Sequence, residues 1–475
     1  MRHTLNDLFK SKAKVIYLNN FYKANLKWTL KTIDNDTQYQ VSIHKDGQIY
    51  PRMPVILKSN GLPWNIGNSY LIGLLSQPSL SNLRSLSSRA IFLKFYLQYL
   101  EDSNQNFLDL PKIYSKRAPQ KFKIFMVDVL NKYNFSATYI NNILSTVAHF
   151  YREIIHQSLL PLNSFENDPF TEVNRRRMTE NSVGLSRFIE VTTSDLKVKS
   201  SRSPYPQLGK IRDGGSLRPL TLKEQEIIFQ AFRNNLASIE LELMIRIAII
   251  TGARQQTICT LSIACIEEAN EILENDPSLN LVVINAGQRF RADSKSSRHN
   301  RLHFNRKLIN DLINYIYSER AEYRRNHINS FYGHTSENYV FLTRVGNPYL
   351  SAQREIAARQ TPKPEWNESA PSMNIKSGQS LRNELDRFVK KIQAYESGFC
   401  KFSFHDLRAT SGMNLVRSMR EKHYPDSKVF DYVRQHLNHK NIKTTEVYLS
   451  FDAEIEEFNE IQEGFGEIFN RIVEY

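Results

Sequence analysis

The sequence predicts a multidomain chain that is mainly α-helical, with one small β-sheet in its C-terminal half. Three observations carry this expectation. At 475 residues the chain exceeds what a single hydrophobic core serves, so two or three domains are expected. From about Leu80 apolar residues recur at three- and four-residue spacing, the period of amphipathic helices. In the second half the one convincing change to alternation is "LNLVVINAGQRFRADSKSSRHNRLHFN", which reads as strand, strand, turn and strand.

Residues 1–72 read as a mixed or β accessory region. In "YQVSIHKDGQIYPRMPVILK" the pair Asp46-Gly47 stands between two short alternating runs, a hairpin signal. Residues 73–173 read as a helical bundle, with Ser136 the cap of the helix in "SATYINNILSTVAHFYREIIHQ". Over 174–217 the periodicity is lost and the composition turns to Arg, Lys, Ser, Pro and Gly, so this stretch reads as a basic linker. Arg175, Arg176, Arg177, Lys197, Lys199, Arg202, Lys210 and Arg212 are its candidate phosphate contacts, although a linker is equally often basic only to stay solvated. Helical patterning returns over 218–451, where the nearly all-apolar "LELMIRIAIIT" must be buried. The stretch "RQTPKPEWNESAPSMNIKSGQ" looks like a surface insertion. Residues 452–475 form an acidic tail with Ile455, Phe458, Ile461, Phe465, Ile468, Phe469 and Ile472 at near-helical spacing.

Charge narrows the partners. The 63 Lys and Arg against 49 Asp and Glu give +14, and the tail, with eight acids and one base, leaves +21 on the rest of the chain. Such a surface attracts polyanions, nucleic acid first among them. Three cysteines, an odd number in a long chain and without zinc-type spacing, fit a reducing cytoplasm best. No run of about 18 apolar residues occurs, so no membrane partner is expected.

In "TGARQQTICTL" Gly252 can cap the buried helix, which puts Arg254 at the start of the next. In "FHDLRATSGMNL" His405 and Arg408, three apart, share a helix face. In "HLNHKNIKTTEVYLSF" His439 and Tyr448 would lie on opposite sides of one straight helix, so a common site requires a bend. Asn438, Asn441, Thr444 and Thr445 are residues that supply one, and His436 is as near as His439. Two guanidinium forks match the charge of a five-coordinate phosphorus, a cationic pocket favours a phenolate, and a His takes or gives protons. Together they suit attack on a phosphodiester.

In order and spacing, "TGAR", "HDLR" and "LNHKNIKTTEVY" resemble the motifs of the tyrosine recombinases, or phage integrase family. The resemblance implies a tyrosine-recombinase-like catalytic fold over 218–451, with 73–173 as the core-binding domain of a clamp around double-stranded DNA. It implies that Tyr448 attacks the phosphate to give a 3′-phosphotyrosyl link, that Arg254 and Arg408 hold its oxygens, and that His405 and His439 bind and transfer protons. "ADSKSSRHNRLHF" is similar to the family's lysine hairpin, so Lys295 protonates the leaving oxygen. A site-specific recombinase or integrase of a mobile element is implied. It would need no cofactor or metal, would assemble as a homotetramer on paired sites with accessory DNA-bending or directionality factors, and would work in the cytoplasm on the nucleoid. A type IB-like topoisomerase and a catalytically silent DNA-binding protein are the alternatives. Thr257 and Asn438 depart from the pattern of many relatives, which have an acid and a Gly there.

Overall fold

The computed structural model describes residues 4–22, 25–33, 36–44, 49–75, 83–157, 159–161, 164–180, 186–199, 208–287, 291–294, 298–359 and 375–473. The chain divides into two compact units: the first comprises Met1–Thr179, Arg187–Ser203 and Ser372–Asn374, and the second Glu180–Ser186, Pro204–Pro371 and Ile375–Tyr475.

After a single 3-10 turn at Leu5–Leu8, the first unit has four nine-residue strands, β1 (Lys14–Tyr22), β2 (Asn25–Ile33), β3 (Asp36–His44) and β4 (Ile49–Leu57). Asp46 and Gly47 lie outside the described residues, and the strands that flank them do not pair as a hairpin. Instead β4 pairs antiparallel with β1, from Lys14↔Leu57 to Tyr22↔Ile49, and β3 pairs with β2. Four helices follow, α1 (Asn65–Leu74), α2 (Leu83–Asp102), α3 (Ala118–Tyr133) and α4 (Ala137–His156). Ser136 caps α4 by accepting from Tyr139 N at 3.2 Å, as its residue type favours. The stretch read as a linker holds two further paired strands, β5 (Glu172–Glu180) and β6 (Ser186–Ser194).

The second unit opens with strands of two residues, β7 (Ile211–Arg212) and β8 (Ser216–Leu217). Helices α5 (Leu222–Arg233), α6 (Ile239–Thr251), α7 (Gln255–Thr260) and α8 (Ile263–Asn275) come next. An antiparallel pair follows, β9 (Leu281–Ala286) with β10 (Asn300–Asn305). The third strand expected in this sheet is absent among the described residues. The unit ends with α9 (Arg306–Ile316), α10 (Glu319–Arg325), α11 (Gln353–Ala358), α12 (Gln379–Gln393), α13 (Phe404–Glu421), α14 (Asp426–His436) and α15 (Ile442–Val473). The apolar α6 is buried as its composition requires, with Leu241, Met244, Ile245, Ile247 and Ala248 at 0–1% exposure. A second cluster joins Ile211 and Leu217 to Met413, Val433, Leu437, Tyr448 and Phe451, so the short hairpin and the last three helices share one core. Among the described residues no helix is long and apolar enough to cross a membrane.

Helix α13 starts on a capping box: Ser403 Oγ accepts from Asp406 N at 3.3 Å, and the Asp406 carboxylate accepts from Ser403 N at 2.8 Å. Replacing that cap, Ser403→Ala, is expected to lower stability by about 1 kcal/mol, read as a lower midpoint in urea denaturation.

Candidate functional site

The site forms where the ends of α6 and α14 and the starts of α7, α13 and α15 meet the β7–β8 hairpin. Helix α6 stops at Gly252, whose φ of +63° is a left-handed cap. The chain then turns so that Arg254 is the N-cap of α7. Helix α14 ends at His436, Asn438 takes φ +49°, and α15 begins at Ile442. The break between His439 and Tyr448 is therefore made by residues 437–441. Thr444 and Thr445 lie inside α15 and take no part in it.

Arg408 is fully buried. Its Nη1 donates to Gly252 O at 2.8 Å and its Nη2 to Leu437 O, so one guanidinium closes the carbonyl ends of α6 and α14. Its Nε donates to Asp213 Oδ2 at 2.9 Å. The same carboxylate oxygen is 3.1 Å from His439 Nε2 and accepts from the Tyr448 hydroxyl at 3.4 Å. His405 Nε2 donates to the Asp213 backbone carbonyl at 3.1 Å. Because a carboxylate only accepts, the proton of a neutral His439 sits on Nε2, and Nδ1 then accepts from Thr445 Oγ1 at 3.2 Å.

Electrostatics follows from this geometry. Burial alone would raise the Asp213 pKa, but the His439 hydrogen bond and the Arg408 charge outweigh it and hold the carboxyl far below the usual range. Burial pushes the Tyr448 hydroxyl well above its ordinary value, and the Asp213 charge adds to this. Burial lowers both His405 and His439, against the opposing pull of Asp213. Arg254 is lowered to about 10 by burial and then by the neighbouring Arg408.

A cavity of about 340 Å³ opens beside the cluster, lined in part by Asp213, Arg254, Arg298, His439, Lys440 and Thr444. The two arginines differ there. Each guanidinium nitrogen of Arg408 donates to a protein acceptor, which leaves one N–H on each Nη, whereas the buried Nε of Arg254 has no hydrogen-bond partner among the described residues. An anion in this cavity would find Arg254 unspent.

Of the residues picked from sequence, Arg254, His405, Arg408, His439 and Tyr448 come together. His436 does not join them. It bonds to Ser411 Oγ at 2.8 Å and stacks on His303, and burial lowers it to about 4. Lys295 and Arg202 lie outside the described residues. Arg175, Arg176, Lys197 and Lys199 are exposed in the first unit, Arg176 within 3.6 Å of Glu190, and Lys210 and Arg212 are exposed in the second. The side chain of Arg177 is not described. Sequence reading missed Asp213. Its signal was Asp-Gly-Gly inside "IRDGGSL", the loop of a hairpin with Arg212↔Ser216 in register and Gly214 at φ +70°.

Residues 218–454 match the model of the phage integrase family. Comparison with curated proteins gives no match. Among solved structures, this chain is similar to the Tn1549 transposon integrase in complex with circular intermediate DNA, at 13% identity, 83% of this chain, 99% of that chain and a TM-score of 0.42. It is also similar to a variant of that integrase in complex with transposon right end DNA, at 14% identity, 84% of this chain, 99% of that chain and a TM-score of 0.41.

Two outcomes are expected. A Cβ on Gly412 would lie 2.5 Å from the Tyr448 ring and 2.7 Å from Leu437, so Gly412→Ala should cost about 1–3 kcal/mol in chemical denaturation. His436 is depressed in the folded state relative to about 6.5 when unfolded, so its contribution is full above that pH and is lost as pH falls towards about 4. The melting temperature of His436→Gln should therefore fall less than that of the wild type between pH 7 and 4.5.

Proposed function

The chain is a member of the phage integrase family through residues 218–454, and from that premise we propose that it is a site-specific DNA recombinase acting through a 3′-phosphotyrosyl intermediate. The observation that carries the reading is the convergence of Arg254, His405, Arg408, His439 and Tyr448 beside one cavity. The scissile phosphate enters beside Arg254, which holds its non-bridging oxygens together with the unused N–H groups of Arg408. The Tyr448 oxygen attacks phosphorus and loses its proton to a neighbouring group. The bond to the departing 5′ oxygen breaks, and Lys295 gives that oxygen a proton. His405 and His439 serve as hydrogen-bonding and proton-transfer groups, His439 through Nδ1 once that nitrogen is protonated and released from Thr445. The phosphotyrosyl link conserves the phosphodiester, so a second 5′-hydroxyl reverses the step and joins new strands without ATP or metal.

The substrate is double-stranded DNA of a mobile element, integrated or excised by a homotetramer on paired sites, in the cytoplasm and at the nucleoid. Accessory DNA-bending or directionality factors would set the outcome. The basic residues of 174–217 serve the duplex backbone, the helical bundle grips it, and the stripe of α15 docks on a neighbouring subunit. Tyr448 is fully buried and does not line the cavity, so attack requires its ring to move. That burial also favours a second reading, a DNA-binding protein of this fold that does not cut.

The test is a nicked suicide duplex carrying a site selected from random DNA. Wild type should form a covalent protein–DNA adduct on a denaturing gel, in chelator as well as without it, and Tyr448→Phe should form none. No adduct with tightly bound DNA would establish the silent reading, and an adduct surviving Tyr448→Phe would move the nucleophile elsewhere. Exchange between two site-bearing duplexes, without relaxation of site-free supercoiled DNA, separates a recombinase from a topoisomerase.

A further inference from the structure

We propose that Asp213 is the positioning residue of this site: one carboxylate oxygen, shared by Arg408 Nε and His439 Nε2, sets the direction in which both groups face the scissile phosphate. The inference rests on the recombinase reading. Its ground is the way four groups from three elements end on one residue. Arg408 and His439 meet Oδ2 at 2.9 and 3.1 Å, the Tyr448 hydroxyl meets it at 3.4 Å, and His405 meets the Asp213 carbonyl at 3.1 Å.

The remaining Arg408 contacts named above are to backbone carbonyls, which accept a guanidinium but do not balance its charge. Asp213 supplies that balance at 6% exposure. Its hairpin is rigid enough to do so, because Ile211 and Leu217 are buried against Met413, Val433 and Leu437, and Leu220 N donates to Thr410 Oγ1 of α13 at 2.9 Å. The carboxylate also selects the His439 tautomer, since it can only accept from Nε2.

Charged and titratable groups face His439 from each element around it: Asp213 from the hairpin, Arg408 from α13, Arg254 from the start of α7, Arg434 and His436 from α14 and Tyr448 from α15. Among them Asp213 favours the imidazolium and the arginines oppose it. Without the carboxylate, the pH limb that follows His439 protonation moves to lower pH.

The experiment compares Asp213→Asn and Asp213→Glu with wild type in the full chain, on the same suicide duplex, from pH 5 to 9. At saturating protein, Asp213→Asn should form adduct at least tenfold more slowly, its limb should move to lower pH, and Asp213→Glu should recover part of the rate. A wild-type rate, a faster rate, or a slower rate with an unmoved limb would each overturn the proposal. If Asp213→Asn does not fold, the histidine ring signals of ¹⁵N-labelled wild type decide. His439 protonated on Nε2 supports the proposal, and protonation on Nδ1 overturns it. Absence of adduct in wild type would instead remove the recombinase reading, while the ring signals would still report on Asp213.

Discussion

The second unit depends on one buried ion pair. Arg408 at α13 and Asp213 at the hairpin lie 195 residues apart in sequence and meet at 2.9 Å with 1% and 8% of their side chains exposed. Two isolated charges could not be placed there, since each would forfeit several kcal/mol of hydration. They are tolerated because every element around them answers a donor or an acceptor. The ends of α6 and α14 supply carbonyls, His439 supplies an N–H, and the hairpin supplies the carboxylate. Loss of either partner would strand the other in the core, so the pair fixes the hairpin, α6, α13, α14 and the start of α15 in one arrangement.

Much of this was legible in the sequence because it is local. Gly252 after an apolar helix, Ser136 and the pairing of Ser403 with Asp406 are decided within four residues, and the structure uses them as caps. The motif residues were legible for the same reason, since His405 and Arg408 need only a helix and His439 and Tyr448 only a bend. What was hidden depends on contacts across the chain. Asp213 stood in a stretch without periodicity, and nothing nearby announces that its partners lie beyond residue 404. The hairpin expected at Asp46-Gly47 shows the converse. Alternation identified strands, yet β4 found its partner in β1, which local turn chemistry cannot specify.

The site also divides its two arginines by role. Arg408 is spent largely on protein and gives the centre its shape. Arg254 sits at a helix start and lines the cavity, and its Nε has no partner among the described residues, so it has capacity left for a ligand. The face of α13 that carries Arg408 is turned inward, since the guanidinium has no exposed surface. His439 and His436, indistinguishable by position, are separated because α14 ends between them and Asn438 turns the backbone through the left-handed region.

Helix α15 runs without interruption from Ile442 to Val473, so the described part of the acidic tail and the tyrosine belong to one helix. Thr445 and Tyr448 occupy its first turns inside the core, whereas Phe458, Ile461 and Phe465 stand 43%, 58% and 64% exposed. At 1.5 Å per residue, Phe465 lies about 26 Å from Tyr448 along the axis. The helix is in effect a lever with its short arm in the core and its long arm in solvent. A swing of about 10° about the tyrosine's turn would carry Phe465 through about 4–5 Å while barely shifting the pivot. Small forces applied to the apolar stripe at the far end would therefore arrive at the Tyr448 ring with mechanical advantage.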